Sequence, residues 1–89
     1  MTILEFADKI NYKIVIVYYP KHNNFRTCFE NATLDHNFGT FGNGKNPLES
    51  LNNYTKIISK QIIIFNDKET FHIPELSLIF LNSSSAEFI

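Results

Sequence analysis

The chain has 89 residues, one cysteine and a formal net charge of −1. That length leaves room for one domain and excludes two independent cores. The lone Cys28 excludes an internal disulfide, and seven Lys and one Arg against nine acids argue against nucleic acid as a partner, since a dedicated binder carries a net basic face.

A domain this small buries only roughly 60% of the surface its unfolded chain exposes, so it needs a dense core or self-association. The core material is present: 44% of residues are hydrophobic, nine of them Phe and four Tyr, a composition that favours strands over helical bundles. The longest apolar run falls short of the 18 or so residues of a membrane span. Glu5 and Asp8 near the N-terminus are unlike a secretory signal, so the cytoplasm is the expected compartment and no membrane is expected as a partner. Abundant Asn, Ile and Lys fit the coding bias of an AT-rich genome, such as a low-GC bacterium, its phage or a cyanobacterium.

In chain order, the first strong signal is residues 12–19, a nearly unbroken β-branched and aromatic strand stopped by Pro20. Its continuous apolar character predicts a central strand covered on both faces, or one with a face buried in a dimer. Residues 20–24 read as a hairpin turn, since Asn tolerates positive φ. A return strand is expected over residues 25–36 and a short third strand around residues 38–41. The glycines of Gly42-Asn43-Gly44-Lys45 predict a loop with a sharp change of direction.

A helix follows. Asn46 is a favoured N-cap, Pro47 suits the first helical position, and Glu49 complements the cap and the helix dipole. Leu48, Leu51, Tyr54, Ile57 and Ile58 form its apolar stripe, with Ser50, Asn52, Asn53 and Lys56 opposite. Residues 61–65 and 70–73 predict a strand pair joined by a turn at 66–69. Residues 75–81 read as a last strand or a docked segment. The expected fold is α+β: an antiparallel sheet in the order β-β-β-α-β-β, with one amphipathic helix on one face. A single domain is expected over 1–81, with a flexible tail over 82–89.

No catalytic constellation is visible. His22, His36 and His72 show no ligand spacing, and Cys28 has no identifiable base, so neither an enzyme nor a metal or other cofactor is expected. Two binding sites are candidates. Gly42, Asn43, Gly44 and Lys45 precede a helix N-terminus, where exposed amides favour anions, although the full phosphate-loop pattern is lacking and Pro47 removes one amide. The aromatics Tyr12, Tyr18, Tyr19, Phe25 and Phe29 are candidates for a protein interface, because nine Phe exceed what so small a domain readily buries.

The stretch Gly42-Asn43-Gly44-Lys45-Asn46-Pro47-Leu48-Glu49-Ser50-Leu51-Asn52-Asn53-Tyr54, followed by Ile58-Ser59-Lys60-Gln61-Ile62-Ile63-Ile64-Phe65, resembles a set of small uncharacterised phage and cyanobacterial α+β proteins. More weakly, it is similar to HicB-like antitoxins, in which a sheet is followed by a glycine-led helix. The match covers roughly a quarter of the chain and is a capping motif more than a functional one. The HicB-like resemblance implies dimers and a partner protein to neutralise. The chain departs from it in lacking a C-terminal DNA-binding module. The phage-like resemblance implies an accessory, counter-defence role on a mobile element. The expected function is therefore a non-enzymatic protein–protein interaction module, a homodimer with a protein partner. A small-ligand or nucleotide binder using loop 42–45 is the alternative.

Overall fold

The computed structural model describes residues 1–34, 40–66 and 68–80. Its first element, α1 (Ile3–Ile10), begins in a capping box: Thr2 Oγ1 accepts the Glu5 amide at 3.2 Å, and the Glu5 carboxylate accepts the Thr2 amide at 2.8 Å. Ile3, Phe6 and Ala7 fall three and four residues apart and are buried, while Asn11 ends the helix in the left-handed region at φ 60°. This second helix is absent from the sequence-based expectation of one helix.

β1 (Ile14–Tyr19) and β2 (Asn24–Phe29) form the expected hairpin. A single 3-10 turn (Pro20–His22) joins them, and Asn23 takes the positive φ of 46°. The return strand does not run on to residue 36. Asn31 sits at φ 59° and redirects the chain, so that β3 (Ala32–Leu34) joins a different sheet. Residues 35–39, with the expected turn and part of the expected third strand, lie outside the described residues.

β4 (Gly42–Gly44) corrects a further expectation: the glycines lie in a strand paired with β2, not in a loop. α2 (Pro47–Ile58) then starts as expected, with Asn46 Oδ1 accepting the Glu49 amide at 2.8 Å. Its buried face is Ser50, Leu51, Tyr54, Thr55 and Ile58, so the predicted stripe is rotated: Ser50 is buried and Ile57 exposed. The reason is the glycine strand beneath. A Cβ on Gly42 would collide with the Ser50 carbonyl and the Tyr54 amide, and one on Gly44 with the Ser50 amide, so α2 rests directly on β4 backbone. There Ser50 Oγ donates to the Pro47 carbonyl at 2.9 Å. Its proton thus spent, it accepts the Thr27 hydroxyl at 2.7 Å, and both buried hydroxyls are satisfied.

β5 (Ile62–Phe65) and β6 (Glu69–His72) form the second expected hairpin. The strands make two three-stranded antiparallel sheets, ordered β1-β2-β4 and β3-β5-β6. Between them lies an aromatic core. Phe65 is stacked on Tyr12 at 3.9 Å and meets Phe29 edge-on at 5.2 Å and Phe71 at 5.6 Å. Beyond β6 the chain docks rather than forming a last strand: Ile73 and Leu76 enter the core, Thr2 and Ser77 form a parallel bridge, and the Asn52 carboxamide both donates to and accepts from the Ile79 backbone, at 2.7 and 2.9 Å. The expected tail, residues 82–89, lies outside the described residues. No helix among the described residues is long and apolar enough to cross a membrane.

Tyr54 ties β2 to α2, since its hydroxyl accepts the buried Phe29 amide at 3.2 Å. Burial pushes that hydroxyl up to about 12, from an ordinary 10.0. In the window between these values the folded chain keeps a proton that the unfolded chain releases, so stability falls as pH rises through it, by roughly 3 kcal/mol at most. Tyr54→Phe is expected to remove this part of the alkaline slope while costing about 1–2 kcal/mol near neutrality, because the Phe29 amide is left unpaired. Urea unfolding at stepped pH reads both effects.

Candidate interaction surface

Antiparallel pairing puts alternate residues of the first sheet on opposite faces. Ile14, Ile16 and Tyr18 share the face of Phe25, Thr27 and Phe29, and also of Gly42 and Gly44; this is the face α2 covers. Val15, Val17 and Tyr19 share the other face with Asn24, Arg26, Cys28 and Asn43. α2 lies over β4 and β2 and barely reaches β1. The result is an edge strand among the described residues, which corrects the first of the two expectations for this run, a central strand covered on both faces. Among the described residues β1 pairs only with β2, and Ile16, Val17, Tyr18 and Tyr19 are 41%, 42%, 48% and 38% exposed.

The expected interface residues divide. Tyr18 is exposed, its ring 4.8 Å from Phe25 and its hydroxyl donating to Asn23 at 3.2 Å. Tyr19 is exposed on the opposite face, and Phe25 is half-buried. Phe29 is a core residue, buried against Tyr54 and Phe65. Tyr12 stacks on Phe65 and donates to the Glu69 carboxylate, which raises its hydroxyl above the ordinary tyrosine value. Phe29 and Tyr12 therefore hold the two sheets together, while Tyr18, Tyr19 and Phe25 stay near the surface. Sequence reasoning missed Ile16 and Val17, because an unbroken apolar run reads as buried. On the face of Val17, Arg26 places its guanidinium between the rings of Tyr19 and Phe41 at 4.5 and 4.4 Å. Its Nε is buried with no hydrogen-bond partner among the described residues.

At the other candidate, Gly42 and Gly44 are pressed against α2. Asn43 bonds through its side chain to Asn24 at 2.8 Å and through its carbonyl to Asn53 at 2.6 Å. The Lys45 amide donates to Glu49 Oε1 at 3.1 Å. With the Glu49 amide on Asn46, the Ser50 amide on the Asn46 carbonyl and no amide at Pro47, most groups that would hold an anion are engaged within the chain, and the Glu49 carboxylate stands beside them.

The reactive side chains stand apart. His22 and His72 are exposed and His36 lies outside the described residues. Burial pushes the half-buried Cys28 thiol up, away from a nucleophilic thiolate. Among the described residues no three His, Cys, Asp or Glu side chains gather as a metal site would require. The chain matches no family model, no curated protein and no solved structure.

Proposed function

We propose that the chain is a non-enzymatic protein–protein interaction module whose working surface is β1. The observation that carries this reading is a six-residue apolar strand at a sheet edge with four consecutive large side chains exposed. Natural edge strands are blunted by charges, proline or a covering element. Between Lys13 and Pro20 this one has none among the described residues. An edge of that kind binds by adding a strand: main-chain hydrogen bonds supply affinity and alternate side chains supply selectivity. A HicB-like antitoxin, or an accessory counter-defence protein of a phage or mobile element, is the concrete form of such a role, as a homodimer with a protein partner. The small-ligand alternative at Gly42–Lys45 has less support, because its amides are already engaged.

The test compares wild-type chain with an Ile16→Lys/Tyr18→Lys variant in affinity capture from the native host. Both side chains are exposed, so the double variant should lose no more than about 1 kcal/mol of stability. Loss of the captured protein from a folded variant is the expected result. Equal capture by both chains would remove β1 as the working surface.

A further inference from the structure

The hydrogen-bonding phase of β1 says what its open edge offers. The Glu30 amide donates to the Lys13 carbonyl at 2.9 Å, and this pair continues the register in which Ile14 lies opposite Phe29 and Ile16 opposite Thr27. Antiparallel ladders alternate between pairs that exchange hydrogen bonds and pairs that do not. Val15, Val17 and Tyr19 therefore spend their amides and carbonyls on β2, while Ile14, Ile16 and Tyr18 turn theirs outward.

We propose that a second copy of this chain occupies that edge, with the two β1 strands antiparallel about a two-fold axis at Ile16. The result is one continuous sheet of six strands. The proposal rests on the reading of β1 as the working surface and names its occupant.

The register follows by elimination. A two-fold pairing must set outward-facing residues opposite one another. With the axis at Ile16, Ile14 meets Tyr18 of the other copy and Ile16 meets itself. On the second face Val15 meets Val17, and Lys13 lies across from Tyr19, which leaves it only the ring face that Arg26 does not cover. Every position from 13 to 19 then has an apolar or cation–aromatic partner, the cross-strand pairs that stabilise sheets. An axis at Val17 would set Lys13 against Lys21 and Ile14 against Pro20, which has no amide to give. An axis at Val15 would leave Tyr19 opposite Asn11 and draw in Tyr12, whose ring is held on Phe65. Only the axis at Ile16 uses the whole strand without a like-charge pair.

The interface is small. A tyrosine side chain offers roughly 200 Å², so four side chains about 40% exposed, together with the strand edge, bring on the order of 400 Å² per copy. For the pair this is roughly 800 Å², below the roughly 1,200 Å² at which standard interfaces begin. The dimer is accordingly a concentration-dependent one, with a dissociation constant between about 1 μM and a few hundred micromolar.

The test uses the full chain with Cys28→Ser, so that no native thiol competes. In the proposed register two Ile16 α-carbons lie about 5.5 Å apart, within disulfide range, whereas two Val17 α-carbons are separated by a diagonal beyond about 7 Å. Under a mild thiol oxidant Ile16→Cys should give at least roughly tenfold more covalent dimer than Val17→Cys. Light scattering should show the Cys28→Ser parent passing from monomer to dimer as concentration rises. A parent monomeric at roughly 1 mM, or crosslinking that favours Cys at position 17, overturns the proposal. Amide exchange of the monomer then separates this failure from failure of the interaction reading. Fast exchange at Ile14, Ile16 and Tyr18 leaves the edge open to another protein. Protected amides in a monomer mean that the chain covers its own edge, and both readings fall.

Discussion

Gly42→Ala is expected to lower the unfolding free energy by about 3 kcal/mol or more, a large share of the ~5–15 kcal/mol a domain of this kind commands. The added methyl would sit 2.6 Å from Tyr54 Cβ and closer still to the Ser50 carbonyl and the Tyr54 amide. Two of these three neighbours are backbone, so no rotamer change relieves the clash, and α2 must lift from the sheet. Gly44→Ala meets the same wall, 2.8 Å from the Glu49 carbonyl carbon and against the Ser50 amide. Neither glycine is needed for its backbone angles, since both lie in extended strand. The penalty is one of helix-to-sheet distance alone. Urea unfolding followed by far-UV circular dichroism measures it, and a loss under about 1 kcal/mol would mean that α2 does not rest on β4.

Phe65→Ala should cost about 4 kcal/mol, the range for emptying a fully buried aromatic site. Phe65 is 0% exposed and touches three aromatic rings: Tyr12 from the N-terminal segment, Phe29 from the first sheet and Phe71 from its own hairpin. Its removal opens a void where the two sheets meet, and no single neighbour can fill a space its own packing partners hold open. Phe71→Ala, at a half-buried site, should cost less than half as much. Equal losses in chemical denaturation would show that the sheets are joined elsewhere.

The fold class was legible because its strongest elements are local. Residues 14–19 and 24–29 pair across a short turn, the helix carries its own cap at Asn46, and residues 62–72 form a second hairpin. What the sequence hid was set by distant contacts. Glycine is poor strand material on its own. Gly42 and Gly44 form a strand because α2 approaches so closely that nothing larger fits. The same approach pulls Ser50 inward and leaves Ile57 outside. α1 is a different case: its signals, Thr2 and Glu5 in a capping box and Ile3, Phe6, Ala7 and Ile10 at helical spacing, stand in the sequence, but a helix of eight residues is too short to hold without the core it packs on. At the surface, the aromatic character of Tyr18 and Tyr19 was readable. Whether Ile16 and Val17 lay inside or outside depended on how far α2 extends across the sheet, which β1 itself does not encode.

The bridge between Thr2 and Ser77, reinforced by the Ser77 amide on the Met1 carbonyl at 2.8 Å, joins the two ends of the described chain. Closing a loop of that length is an entropic cost that no local contact meets. The β1–β2 hairpin, whose strands are joined by a short turn, carries little of that cost, so the docking of residues 73–77 onto the N-terminal segment is the contact that depends on the rest of the fold.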